Sequence, residues 1–245
     1  MIHPETDFLK VQNISKNFKG LRALEDVSFA ARKSEILGLV GPNGAGKTTL
    51  FNVISGVQVP DQGTVSFNGK NLKGLKPYQI ARLGIARTFQ IVKPMSGLNV
   101  LENVMMGPLV RSYSIKEAKA EALRILELLG IHHKALSLAE NLSLPEKKRL
   151  EFARALSVAP KILLLDEVMA GLRPSEIDEM IAILKVINQK TGLTILMIEH
   201  SMRAIMACSD RIVVLNYGRK IAEDTPEAIR KHPEVIRSYL GQDPC

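Results

Sequence analysis

The stretch Gly41-Pro42-Asn43-Gly44-Ala45-Gly46-Lys47-Thr48-Thr49 constrains this chain more than any other. It matches G-x-x-x-x-G-K-[ST], follows the apolar run Ile36-Leu37-Gly38-Leu39-Val40 and precedes Leu50-Phe51-Asn52-Val53-Ile54, so it reads as the turn from a buried strand into a helix. Glycines let the backbone turn tightly enough for consecutive N–H groups to point inward. The helix adds its positive dipole end, and together they make an anion cradle. Lys47 is placed to reach the β- and γ-phosphates of a nucleotide, and the Thr48 hydroxyl to sit on a Mg²⁺ ion bridging the same oxygens. The plainer alternative is a glycine-rich turn beside a surface lysine. A chance match in a chain of this length is on the order of 1%, and the strand before and helix after lower it further.

The remaining chain alternates around that loop. Phe8-Leu9-Lys10-Val11 and Leu24 to Phe29 predict short strands separated by a turn at Asn17-Phe18-Lys19-Gly20. Phe18 then either stacks on adenine or belongs to the core. Thr64-Val65-Ser66-Phe67 with Asn68-Gly69 gives a hairpin signal, hence an antiparallel edge. From Gly97 the pattern turns helical: Ile115, Ala118, Ala122, Ile125, Leu126 and Leu129 recur at helix spacing up to Gly130, and a second helix runs from near Ser143 to Pro160. Residues 91–160 carry no strand signal and predict a helical lobe inserted into an α/β core made of 1–90 and 161–245. Ile162 to Leu165 and Leu193 to Ile198 are continuous apolar runs, as in strands covered on both faces. Pro174-Ser175-Glu176 opens a helix; Ile212 to Leu215, Tyr217-Gly218 and Lys220 to Ala222 predict a final strand pair, then a helix from Pro226 to Arg230 and a short tail. The expected fold is a phosphate-loop NTPase core with a mainly parallel sheet, its ligand at the strand carboxyl ends.

Three polar residues stand at those ends. Asp166 follows four apolar residues, where a carboxylate can hold Mg²⁺ through water opposite Thr48. Glu167 is one residue on, points elsewhere, and can polarise the attacking water. Phosphoryl transfer is mostly positioning and electrostatics, so this base, the metal and Lys47 form a sufficient minimal set. Two acids that merely solvate a strand end are the bland alternative. His200, also at a strand end, can contact the γ-phosphate and report its presence.

Composition narrows the class. With 245 residues, 46% of them hydrophobic, the chain can bury a substantial core. No apolar run approaches the roughly 20 residues of a membrane span, and Met1-Ile2-His3-Pro4-Glu5 lacks the order of a secretion signal, so a soluble, cytosolic chain is expected. Cys208 and Cys245 give neither a disulfide framework nor a metal spacing. The formal charge of +8 is spread along the chain, and aromatics are 4% with no tryptophan, so no nucleic-acid partner is expected.

These pieces occur in the order and spacing of ATP-binding-cassette ATPases, which the whole chain resembles. Gly41 to Thr49 looks like Walker A, and Ile162 to Glu167 looks like Walker B with its catalytic glutamate. Phe18 is similar to the adenine-stacking aromatic, and His200 to the switch histidine. Gln90, in Arg87-Thr88-Phe89-Gln90, resembles the Q-loop glutamine, which implies a place among the catalytic and magnesium-coordinating groups. The segments Ala81 to Gln90 and Ile212 to Ala222 are most similar to ATPase subunits of branched-chain amino acid importers. The resemblance implies ATP and Mg²⁺ as ligands and a peripheral position on the cytoplasmic face of the membrane. It also implies a second ATP-binding subunit, integral membrane permeases contacted just after Gln90, and an external binding protein that works through the permease.

Two departures stand out. The LSGGQ signature, which binds the γ-phosphate on the opposite subunit, is here Leu142-Ser143-Leu144-Pro145-Glu146. Ser143 is kept, and Ser143-x-x-Glu146 still reads as a capping box, but Leu144 adds bulk and Pro145 removes a backbone donor. Arg173 stands where many relatives carry aspartate. Both departures favour a heterodimer over a homodimer, with this chain's Walker motifs completed by a partner's regular signature. The rival readings are the ATPase of a lipid or lipopolysaccharide exporter and a soluble cassette acting on nucleic acid or ribosomes. The second rival commonly brings two cassettes or a coiled-coil insertion, which this chain lacks. A GTPase is disfavoured because no Asn-Lys-x-Asp motif occurs.

Overall fold

The computed structural model describes residues 8–88, 94–110, 114–199 and 201–240. The first part of the chain forms β1 (Leu9–Phe18), β2 (Leu21–Ala31), β3 (Ile36–Val40), α1 (Lys47–Ile54), β4 (Gln62–Phe67) and β5 (Lys70–Asn71). Then come α2 (Pro77–Leu83), β6 (Ile85–Arg87), α3 (Val100–Leu109), α4 (Ile115–Leu128) and α5 (Leu144–Ser157). The last part holds β7 (Ile162–Asp166), α6 (Pro174–Thr191), β8 (Thr194–Ile198), α7 (Met202–Cys208), β9 (Arg211–Asn216), β10 (Arg219–Asp224), α8 (Pro226–Lys231) and α9 (Pro233–Leu240).

The strands form two sheets. The larger has the order β10-β9-β3-β8-β7-β6, parallel throughout except for β10, which returns antiparallel to β9. The smaller, β2-β1-β4-β5, is antiparallel. The antiparallel edge expected from sequence is thus a sheet of its own plus one edge strand of the larger sheet.

Continuous apolar runs are explained by what covers each face. Leu37 and Leu39 of β3 join Leu164, Leu196 and Val213 in a core shared with Leu50, Phe51 and Ile54 of α1 and the inner face of the small sheet. Ile36 and Val40 turn the other way, with Leu163, Leu165, Ile195 and Met197, and pack against the helices α3 to α6. Strand side chains alternate between faces, so a strand buried on both must be apolar at every position.

Between β6 and β7 the described residues are helical apart from turns and one isolated bridge, Asn99 to Leu138. Helix α3 starts at a full capping box, with Asn99 and Glu102 each accepting the other's amide at 2.8 Å. It approaches α5 closely at Gly107, where a Cβ would stand 1.9 Å from the Ser157 hydroxyl oxygen. Four short elements, α2, β6, α7 and α9, depart from the sequence expectation. The stretch read as a tail after Arg230 contains α9.

Candidate active site

Lys47 begins α1, and the residue before it makes that start possible. Gly46 adopts φ +98°, and a Cβ there would stand 2.5 Å from the Ala23 carbonyl oxygen, so only glycine lets the loop pass this close to β2. Lys47 Nζ donates to the Gly41 and Pro42 carbonyl oxygens at 2.6 and 2.9 Å. Burial holds its ammonium below the usual lysine value, against the opposing influence of the Glu167 and Asp166 charges.

The loop borders a cleft of about 610 Å³ whose lining runs from Phe18 and Arg22 through residues 43–49 to Glu167. Phe18 ends β1 and is 39% exposed there, so it is no core residue; the Lys16 ammonium stands 5.6 Å from its ring centroid. Arg22 and Ala23 also line the cleft, contributions that the sequence reading missed. The signal for them was their nearness to Phe18 across a two-residue turn.

Asp166 and Glu167 are separated by backbone conformation. Asp166 is the last residue of β7, 2% exposed, with its amide donating to Thr88 Oγ1 at 3.1 Å. Glu167 adopts φ +53°, rare for a residue with a side chain, and its amide donates to the Ile198 carbonyl at 2.9 Å. That turn takes the chain off the strand and brings Glu167 to the cleft. Lys148 of α5, buried, donates to the Glu167 carbonyl oxygen at 3.3 Å.

One acid next to the site went unused in the sequence reading. Glu199 is 4% exposed and its Oε1 accepts the Met169 amide at 2.9 Å. Burial pushes its carboxyl up to about 7. The signal was the same as for Asp166, an acid at the end of an apolar strand. Cys208 is buried in α7, and burial pushes its thiol up to about 12, which leaves it an inert packing group.

The altered signature starts α5. Ser143 is its N-cap, and both its amide and its hydroxyl donate to Glu146 Oε2 at 2.8 Å. Burial favours the neutral Glu146 carboxyl, but the Ser143 donors and Lys134 outweigh it and hold the group below its usual value. Leu144 is 46% exposed and its Cδ2 lies 3.2 Å from where a Cβ on Gly171 would stand. Arg173 precedes α6 and pairs with Glu176 Oε1 at 2.6 Å. None of residues 142–146 lines the cleft. Gln90 and His200 lie outside the described residues.

The donor set suits a magnesium nucleotide. Asp166 Oδ2 is taken by Arg87 at 2.7 Å, while Oδ1 is buried and has no hydrogen-bond partner among the described residues. Among those residues no group of three or more His, Cys, Asp or Glu side chains gathers to hold a metal. A hard cation that takes phosphate oxygens and water, and only one or two protein oxygens, fits that pattern.

Residues 24–170 match a family model described as ABC transporter, and residues 219–244 one described as branched-chain amino acid ATP-binding cassette transporter. The chain is 40% identical over 249 aligned positions to the high-affinity branched-chain amino acid transport ATP-binding protein LivG of Salmonella typhimurium, covering 96% of this chain and 98% of that one. It is 35% identical to the lipopolysaccharide export system ATP-binding protein LptB of Escherichia coli, with 96% and 98% covered. The fold superimposes on the ADP conformation of MJ1267, an ATP-binding cassette of an ABC transporter, with a TM-score of 0.86, 31% identity and 96% and 99% coverage. With the phosphate loop, the paired acids and both sheets in that arrangement, the chain belongs to the ABC transporter family as one of its ATP-binding cassettes.

Proposed function

We propose that this chain is the ATP-binding and hydrolysing subunit of an importer for branched-chain amino acids. The observation that carries the substrate class is the match at residues 219–244. That segment builds β10, α8 and α9, and through Tyr239 it reaches the phosphate loop. Burial raises the Tyr239 phenol above its usual value, although the Gly41 amide hydrogen-bonds to it.

The cleft supports a division of labour. Phe18 offers an exposed ring face to adenine. The amides of residues 43–48 and the Lys47 ammonium hold the phosphates. Thr48 and Asp166 would hold Mg²⁺, which would supply neutralisation of the phosphate charge. Glu167 orients a water molecule and takes its proton as the new O–P bond forms and ADP leaves. Gln90 and His200 complete the γ-phosphate side in this reading, with residues 1–90 and 161–245 as the nucleotide body and 91–160 as the signature lobe.

The exposure of Leu144 and the position of Ser143 outside this cleft support a second ATP-binding subunit that closes it. The loss of both signature glycines favours a heterodimer. A groove of about 400 Å³ lies between α2 and β6 on one side and α3 and α5 on the other, lined by Ile80, Ala86, Met95, Met106, Val110 and Arg154. Its apolar lining supports docking of a permease at the cytoplasmic face, with an external binding protein acting through that permease. Among the described residues no helix is long and apolar enough to cross a membrane.

The test is uptake by proteoliposomes holding the chain, its partner cassette and its permeases, with a binding protein outside. ATP-driven leucine uptake that vanishes in Glu167→Gln is expected. ATP turnover stimulated by lipopolysaccharide, and not by leucine-loaded binding protein, would favour the exporter.

A further inference from the structure

Behind Asp166 sits a cation that the reading above does not use. Arg87 ends β6, and its Nη2 donates to Asp166 Oδ2 at 2.7 Å, with the two side chains 10% and 2% exposed. Its Nη1 donates to Asn52 Oδ1 on α1 at 2.6 Å and to the Oγ of Ser55, the C-cap of that helix, at 3.2 Å. The guanidinium carbon stands 5.7 Å from the centroid of the Phe51 ring. One planar fork therefore spans β6, the end of β7 and the helix that starts with Lys47 and Thr48. Asn52 follows Thr48 by four residues, so the two lie on the same face of α1.

Stability alone is a weak reason for this pair, because a buried ion pair commonly does no better than apolar side chains of the same volume. What the fork supplies is geometry. A carboxylate at a strand end can rotate about its terminal bond; with Oδ2 held by Arg87, the unpartnered oxygen is Oδ1. Lysine would place a point charge there but could not join Asp166, Asn52 and Ser55 through one rigid fork.

We infer that Arg87 is a positioning residue for the magnesium nucleotide: it fixes Asp166 relative to α1, so that Oδ1 and the Thr48 hydroxyl keep a constant separation. This rests on the reading of Asp166 and Thr48 as the metal-facing pair.

The test is equilibrium binding of a fluorescent ATP analogue to the Glu167→Gln chain, with Mg²⁺ and with EDTA, so that the affinity gained from the metal is measured apart from the metal-free affinity. In that background Asp166→Asn is expected to lose the metal-dependent gain. Arg87→Met is expected to lose about ten-fold of it, the usual effect of removing a ligand's supporting partner, with metal-free affinity changed less than about two-fold. An unchanged gain in Arg87→Met alongside a lost gain in Asp166→Asn overturns the inference and leaves the metal reading intact. An unchanged gain in Asp166→Asn overturns both. Equal loss with and without metal assigns Arg87 to fold support alone and also overturns it. Should Arg87→Met not fold, Arg87→Lys carries the test: a gain between those of the parent and Asp166→Asn is expected, and the parent's full gain overturns the proposal.

Discussion

A single backbone dihedral separates the placement of two adjacent acids. Asp166 keeps strand geometry and stays buried at the end of β7, whereas Glu167 at φ +53° turns to the cleft. The same kind of constraint acts at Gly46, where Gly46→Ala forces a Cβ into both a left-handed φ and the Ala23 carbonyl. It is expected to cost about 2 kcal/mol or more and to weaken ATP binding, which denaturant melts and a nucleotide titration would show. Glu199 makes stability depend on pH. Its carboxyl titrates near 7 when folded, above the ordinary value of 4.5, so between those values the folded state holds the extra proton. Stability therefore falls as pH rises through that window, by up to about 3 kcal/mol relative to Glu199→Gln, which keeps the acceptor for the Met169 amide but cannot ionise. Urea melts of both proteins across the window check this. Equal slopes would mean that Glu199 ionises normally.

Among elements, α5 shows what the altered signature does. Ser143 spends its hydroxyl on Glu146, and Leu144 faces Gly171, so the first turn is tied within its own chain. Restoring Leu144→Gly with Pro145→Gly is expected to loosen that turn by about 1 kcal/mol per glycine and to raise ATP turnover in the assembled transporter. Unchanged turnover and unchanged nucleotide affinity would remove the argument for an asymmetric pair. Elements also mark where the sequence was readable. Helix α4 carries apolar residues at helical spacing over fourteen residues between Ser114 and Gly130, and α6 lies between Pro174 and Gly192. The elements that went unread are short: β6 has three residues, α2 and α7 seven each, and α9 eight. Over such lengths a helical period of 3.6 completes little more than two turns and a three-residue strand barely alternates, so no pattern accumulates.

For the whole molecule the decisive question is how the cleft closes. Its open side lacks a signature from the same chain. With Glu167→Gln, which should retain ATP without turnover, light scattering with and without Mg-ATP gives the answer. A mass that stays monomeric while ATP binds is expected if a different cassette is the partner. A shift to a dimer of identical chains would instead mean that Leu142 to Glu146 still clamps a nucleotide in trans, and the heterodimer would be abandoned.

The phosphate loop, the acids at strand ends and the apolar runs of β3, β7 and β8 were legible because each is a local pattern: a spacing, a turn residue, an uninterrupted burial signal. Phe18 was legible only as an alternative, since nothing in its neighbours says whether its ring faces the core or the cleft. Arg87 and Glu199 could be seen but not interpreted. Their partners, Asn52, Asp166 and Met169, are remote in sequence, and they meet only because the order β3-β8-β7-β6 sets those strands side by side with α1 packed across them. Strand order, register and individual dihedrals are settled by the packing of the entire core, and that is why the chemistry could be named from the sequence while its geometry belonged to the fold.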